Sequence, residues 1–154
     1  MALFVLRQDD MDRSDFVLAV LTTAGGSVLT PVQVQKLFFV LDRRIPEAIQ
    51  GPRFNFTPYD YGPFDADVYR EIEGLADRGL GEVIRSGPFS MKTFRLTPEG
   101  QSKGEGLFKT FDSRSREFIS NVSTFVRTRS FKDLVSAIYK AFPDMKVNSV
   151  FRES

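Results

Sequence analysis

The segment Phe56–Phe64, FTPYDYGPF, constrains the fold more than any other stretch of this chain. Pro58 and Pro63 each remove a backbone donor and fix φ, while Gly62 between them frees it. Neither a regular helix nor a central strand can run through such a segment. Yet it carries four rings, Phe56, Tyr59, Tyr61 and Phe64. Two readings follow. In the first, the rings cover one end of a helical core, Gly62 takes a positive φ and Pro63 sets the entry into the next helix. In the second, some rings face outward and dock a partner, since Tyr and Phe are favoured at interface centres.

The flanks of this aromatic loop read as helices. Ser14 is a candidate cap for a first helix with Phe16, Val17, Val20 and Leu21 on one side, ending before Gly25-Gly26. Thr30-Pro31 starts a second, in which Val34, Leu37, Phe38 and Leu41 recur at helical spacing. Arg43 and Arg44 fall in its last turn, where the helix dipole favours cations. After the loop, Asp65 caps a third helix with the stripe Val68, Tyr69, Ile72, Leu75 and Ala76, and Gly79 ends it.

Residues 81–86 and 91–97 then read as a hairpin around Gly87-Pro88. Pro98-Glu99-Gly100 opens a polar stretch to Gly106. Ser113 or Ser115 starts a helix bearing Phe118, Ile119, Val122, Phe125 and Val126. Ser130 and Asp133 start another, with Leu134, Val135, Ile138, Tyr139 and Phe142 on one face. Three helices, a hairpin and two more helices predict a mostly helical α+β fold. Residues 1–100 would form a winged-helix-like domain whose wing is the hairpin. Residues 101–154 would form a C-terminal helical extension packed on it. A generic α+β domain is the alternative.

Composition narrows the chemistry. The 154 residues include no Cys and no His. Disulfides, thiolate nucleophiles, Ser-His-Asp arrangements and the usual zinc ligands are therefore excluded within the sequence. The apolar run Ala2–Leu6 is too short for a signal peptide or a membrane span, so a cytoplasmic protein is expected, with this run as an edge strand or arm. Gly79-Leu80-Gly81 and Gly100–Gly106 lack the context of a phosphate loop. Asp9, Asp10, Asp12 and Asp15 fit no calcium-loop spacing and read as a solvated helix start. No catalytic residue, metal or cofactor is expected.

Four pieces in order resemble a set of small bacterial winged-helix proteins that includes the Panacea (SocA-like) antitoxin domain. They are Gln35-Lys36-Leu37-Phe38-Phe39, then Tyr59–Phe64, then Leu75–Leu80, then Phe94-Arg95-Leu96-Thr97-Pro98-Glu99-Gly100. The resemblance covers residues 14–100. One departure stands out, because Panacea domains usually place an aliphatic residue where this chain has Phe64. The resemblance implies a noncatalytic regulatory or antitoxin-like protein, often linked to toxin neutralisation or phage defence.

The leading expectation is thus a regulatory module acting through protein–protein contacts, with Tyr59, Tyr61, Phe64, Arg70 and Glu71 at its surface. The alternative is a winged-helix DNA-binding regulator that grips phosphates with Arg85, Lys92 and Arg95 of the wing and with Arg127, Arg129 and Lys132 of the basic end. Net charge is only +1, but it is uneven. Residues 101–154 hold ten Lys and Arg against six acids, and residues 1–100 hold eleven against fourteen. The third helix, which enters the major groove in many winged helices, carries Asp65, Asp67, Glu71, Glu73 and Asp77 against Arg70 and Arg78. That face would be repelled by phosphate. A homodimer through the Phe118, Val122 and Phe125 stripe is a further expectation.

Overall fold

Each α-helix among the described residues starts from an oxygen-bearing side chain that accepts a hydrogen bond from its first turn. The caps are Asp12, Thr30, Asp65, Thr97, Asp112 and Ser130. The computed structural model describes residues 11–152. Ala2–Leu6, Asp9 and Asp10 lie outside them. Six helices and two antiparallel two-stranded sheets make an α+β fold, in the order α1 (Arg13–Leu21), α2 (Pro31–Arg44), β1 (Thr57–Tyr59), β2 (Gly62–Phe64), α3 (Ala66–Asp77), β3 (Gly81–Ser86), β4 (Met91–Leu96), α4 (Pro98–Phe108), α5 (Ser113–Thr128) and α6 (Phe131–Ala141). No helix among these residues is long and apolar enough to cross a membrane.

Four expectations need correction. Asp12 caps α1 in place of Ser14, because its carboxylate accepts from the Asp15 amide at 2.8 Å. Asp112 caps α5 in place of Ser113 or Ser115, accepting from the Ser115 amide at 2.8 Å. The aromatic loop is a hairpin, with Thr57 opposite Phe64 and Tyr59 opposite Gly62. Pro58 and Pro63 face each other in it, which only a two-stranded ribbon with free edges allows. Finally, the polar stretch after Pro98 is α4. Thr97 and Pro98 start it as Thr30 and Pro31 start α2, with the Thr97 hydroxyl accepting from the Gly100 amide at 3.0 Å.

That fourth helix explains why α1 is buried on every side. Phe16 to Val20 are all fully enclosed, not just one stripe of them. A helix that is apolar all round needs cover all round. α4 supplies the missing cover by approaching through glycine: a Cβ on Gly104 would stand 2.4 Å from Thr22 Cγ2 and 2.8 Å from the Leu18 carbonyl. The core around α1 and α2 is aromatic, with Phe16 edge-on to Phe38 at 5.8 Å and Phe39 edge-on to Phe142 at 4.8 Å. Strands β3 and β4 pair from Gly81–Leu96 to Ser86–Met91, and Leu29 adds a short bridge to Phe94.

The hairpin β1–β2 is held from two sides. α2 lies beneath it. Gln35 on α2 exchanges two hydrogen bonds with the main chain of Asp65, where the hairpin runs into α3. From the far side, the Val150 amide and the Ser149 hydroxyl donate to the Asp60 carbonyl at 3.0 and 3.2 Å, and Asn148 donates to that of Pro58.

Candidate functional site at the aromatic hairpin

The four rings of the hairpin divide their work. Phe56 packs inward against Phe39 at 5.5 Å. Phe64 is half-buried and bridges Tyr59 and Tyr69 at 5.1 and 5.9 Å. Tyr59 and Tyr61 face outward, 54% and 42% exposed. The rings are thus divided, Phe56 inward and Tyr59 and Tyr61 outward. Tyr61 does not stand alone: its ring meets that of Phe131 edge-on at 5.2 Å, and Phe131 is itself 48% exposed. Phe131 opens α6, directly after its Ser130 cap. Beyond it, a cleft lined by Pro31, Val32, Met91, Arg129 and Phe131 continues the apolar surface to the start of β4.

Arg70 and Glu71 are placed differently from the tyrosines. Arg70 pairs with Asp67 on its own helix. Glu71 is half-buried and accepts from Arg13 Nε at 2.6 Å, tying α3 to α1. The same arginine reaches Asp67 at 3.4 Å and the Phe54 ring at 4.8 Å. Glu71 thus stands beside a cation of its own chain.

The basic residues are also engaged within the chain. Lys92 pairs with Glu73 at 3.2 Å and Arg95 with Glu82 at 2.9 Å. Arg85 donates to the Ser90 carbonyl at 3.0 Å across the turn of its own hairpin. Arg127 donates to Ser123 Oγ at 3.2 Å, and Arg129 lies over the Phe125 ring at 4.5 Å. Lys132 is exposed on the first turn of α6. Two of the three wing cations, Lys92 and Arg95, are therefore already balanced by neighbouring acids. Of the dimer stripe, Val122 is buried while Phe118 and Phe125 are half-buried against the core.

Beneath the hairpin lies the feature with the most unusual chemistry. Lys36 projects from α2 with only 1% of its surface exposed. Its ammonium donates to the Tyr61 carbonyl at 2.6 Å. Among the described residues, no carboxylate lies within ion-pair distance of it. Burial disfavours the charged form and lowers its pKa from 10.5 to about 7. Lys36 lines a cavity of about 180 Å³ whose walls come from Val32, Tyr59, Tyr61, Pro63, Phe64 and Tyr69. Gly62 is favoured here by its backbone angle and fits closely against Lys36. Its φ is +117°, and a Cβ would stand 3.3 Å from Lys36 Nζ.

Sequence reasoning named Lys36 as part of a motif without giving it a role, and passed over Phe131. The signal for Lys36 was a cation spaced four residues from Val32 and three from Phe39, on the apolar side of a helix. For Phe131 it was a large ring at the first position of a capped helix, too early for the stripe that begins at Leu134.

Comparison with protein-family models, with curated proteins and with solved structures finds no match.

Proposed function

We propose that the chain is a noncatalytic regulatory binding protein, antitoxin-like in role, that acts through protein–protein contacts at the hairpin end. The observation that carries this reading is the exposed ring pair of Tyr61 and Phe131, from elements 70 residues apart in sequence. Exposed rings in mutual contact, joined to an apolar cleft, form the sort of surface on which few residues supply most of the binding free energy. The partner would present an apolar segment, with an acidic residue opposite Arg129 at the edge of the cleft. The winged-helix assignment is part of the proposal. It is supported by three helices preceding β3–β4 and by the Leu29 bridge onto β4. The antitoxin-like role rests on the sequence resemblance.

The DNA-binding alternative has less support, because Lys92 and Arg95 are already paired with Glu73 and Glu82. Phosphate would have to displace those acids.

Affinity capture from the native cells, with nuclease present, tests the proposal. One stoichiometric partner is expected, lost when Tyr61→Ala and Phe131→Ala are combined in a protein whose melting curve stays cooperative. Retention of the partner by that double variant would remove the surface from consideration. Steeply salt-dependent duplex DNA binding, weakened by Arg95→Ala, would favour the alternative instead.

A further inference from the structure

The cavity under the hairpin shares Tyr61 with the exposed ring pair but has its own chemistry. A lysine ammonium has three N–H donors, and Lys36 uses one on the Tyr61 carbonyl. The other two have no carboxylate within ion-pair distance among the described residues, although the side chain is buried. Buried cations are ordinarily paired, because desolvation costs several kcal/mol. The Tyr61 carbonyl needs a hydrogen-bond donor, not a charge. An amine with donors to spare at the end of a cavity suits an anion from outside the chain, which would stabilise its protonated form.

The walls specify which anion. Lys36 is the one cation of the lining, set among Val32, Pro63, Phe64, three tyrosines and Gln35. Phosphate and sulfate carry up to two charges, more than one lysine balances. A carboxylate presents its charge on one face and tolerates an apolar body behind it. The volume of about 180 Å³ admits a body the size of one aromatic ring, since a cavity on the order of 150 Å³ holds benzene. Asp60 lies at the same cavity and repels any anion, so the site suits a single negative charge.

We propose that this cavity is a binding site for a small monocarboxylate, an acid group on an apolar or aromatic body the size of one side chain, with Lys36 as its counter-charge. The carboxylate arrives either as a free acid or at the end of a peptide chain.

Calorimetric titration with benzoate, N-acetylphenylalanine and benzamide tests this on the full chain. Saturable binding of benzoate, with none of benzamide, is expected if a free acid is the ligand. Saturation by N-acetylphenylalanine alone identifies a chain-end carboxylate. In either case Lys36→Met weakens binding roughly ten- to hundredfold, the worth of a charge-assisted hydrogen bond. Lys36→Gln keeps a donor for the Tyr61 carbonyl and removes the charge. It must lose affinity to the same degree, which separates the role of the charge from that of the hairpin contact. Phe131→Ala, outside the cavity, leaves carboxylate binding in place, so loss of the protein-docking reading and loss of this one are distinguishable. Saturation by neither acid at millimolar concentration overturns the proposal. So does equal affinity for wild type and Lys36→Gln.

Discussion

The side-chain amide of Gln35 grips the main chain of Asp65 at both ends: its Oε1 accepts from the Asp65 amide at 2.9 Å, and its Nε2 donates to the Asp65 carbonyl at 3.0 Å. Gln35 is buried on α2. The pair of bonds imitates one rung of a strand ladder and fixes where β2 ends and α3 begins. Asp65 adds to this junction by capping α3 through the Asp67 amide and accepting from the Asn55 amide at 2.7 Å.

Gln35→Leu keeps the volume and removes both partners. Two main-chain groups in a half-buried junction then lose their hydrogen bonds, each at about 1–3 kcal/mol. Destabilisation of about 2–5 kcal/mol is expected in chemical denaturation, with the hairpin amides exchanging faster with deuterium. A loss below about 1 kcal/mol would mean that water serves Asp65 equally well.

A second expectation concerns α4. Gly100 and Gly104 lie one turn apart on the face turned to the rest of the molecule. A Cβ on Gly100 would stand 1.8 Å from the Leu80 carbonyl oxygen, inside any tolerable contact. Ala exceeds Gly in helix propensity by about 1 kcal/mol, so propensity alone predicts that Gly→Ala stabilises α4. Sterics decide the other way. Gly104→Ala meets the Leu18 carbonyl at 2.8 Å and must push α4 off α1, costing about 1–3 kcal/mol or more. Gly106, with open space around it, is the control. Gly106→Ala is expected to leave the melting temperature unchanged or raise it.

These glycines also mark where the fold was legible and where it was not. The starts of α2, α3 and α6 were legible because a capping oxygen at Thr30, Asp65 and Ser130 precedes a clean apolar stripe. The β3–β4 hairpin was legible from its Gly87-Pro88 turn. α4 was not, because its contact with α1 is made by the absence of side chains, and hydrophobic periodicity cannot register an absence. The clue lay on α1 instead: Leu18 and Ala19 are apolar on the side away from the expected stripe. At the hairpin, the outward rings of Tyr59 and Tyr61 were anticipated. The cavity was not, since it joins Val32 and Lys36 of α2 to residues 59–64, a juxtaposition no local pattern encodes.

The stability of this protein should pass through a minimum near neutral pH, where many proteins are most stable. Two buried groups cause it. Asp42 accepts from the Arg53 and Phe54 amides at 2.9 Å each, but desolvation outweighs those bonds and raises its pKa from 3.8 to about 6. The native state therefore holds more protons than the unfolded chain between those values, and stability falls as pH rises through them. Lys36 acts in the opposite window. Its folded pKa of about 7 lies below the unfolded 10.5, so the native state holds fewer protons there and stability rises with pH from about 7 to 10.5. A tenfold difference in proton affinity between the folded and unfolded chain is worth about 1.4 kcal/mol, so both slopes are within reach of urea titrations at fixed pH. Lys36→Met should abolish the alkaline rise and raise stability at pH 7, because an uncompensated buried ammonium is exchanged for an apolar chain of similar length. Every other titratable group is common to the two proteins, so the difference between wild type and Lys36→Met isolates this one amine. Parallel curves for the two would mean that Lys36 is solvated and carries its charge in the folded state at ordinary cost.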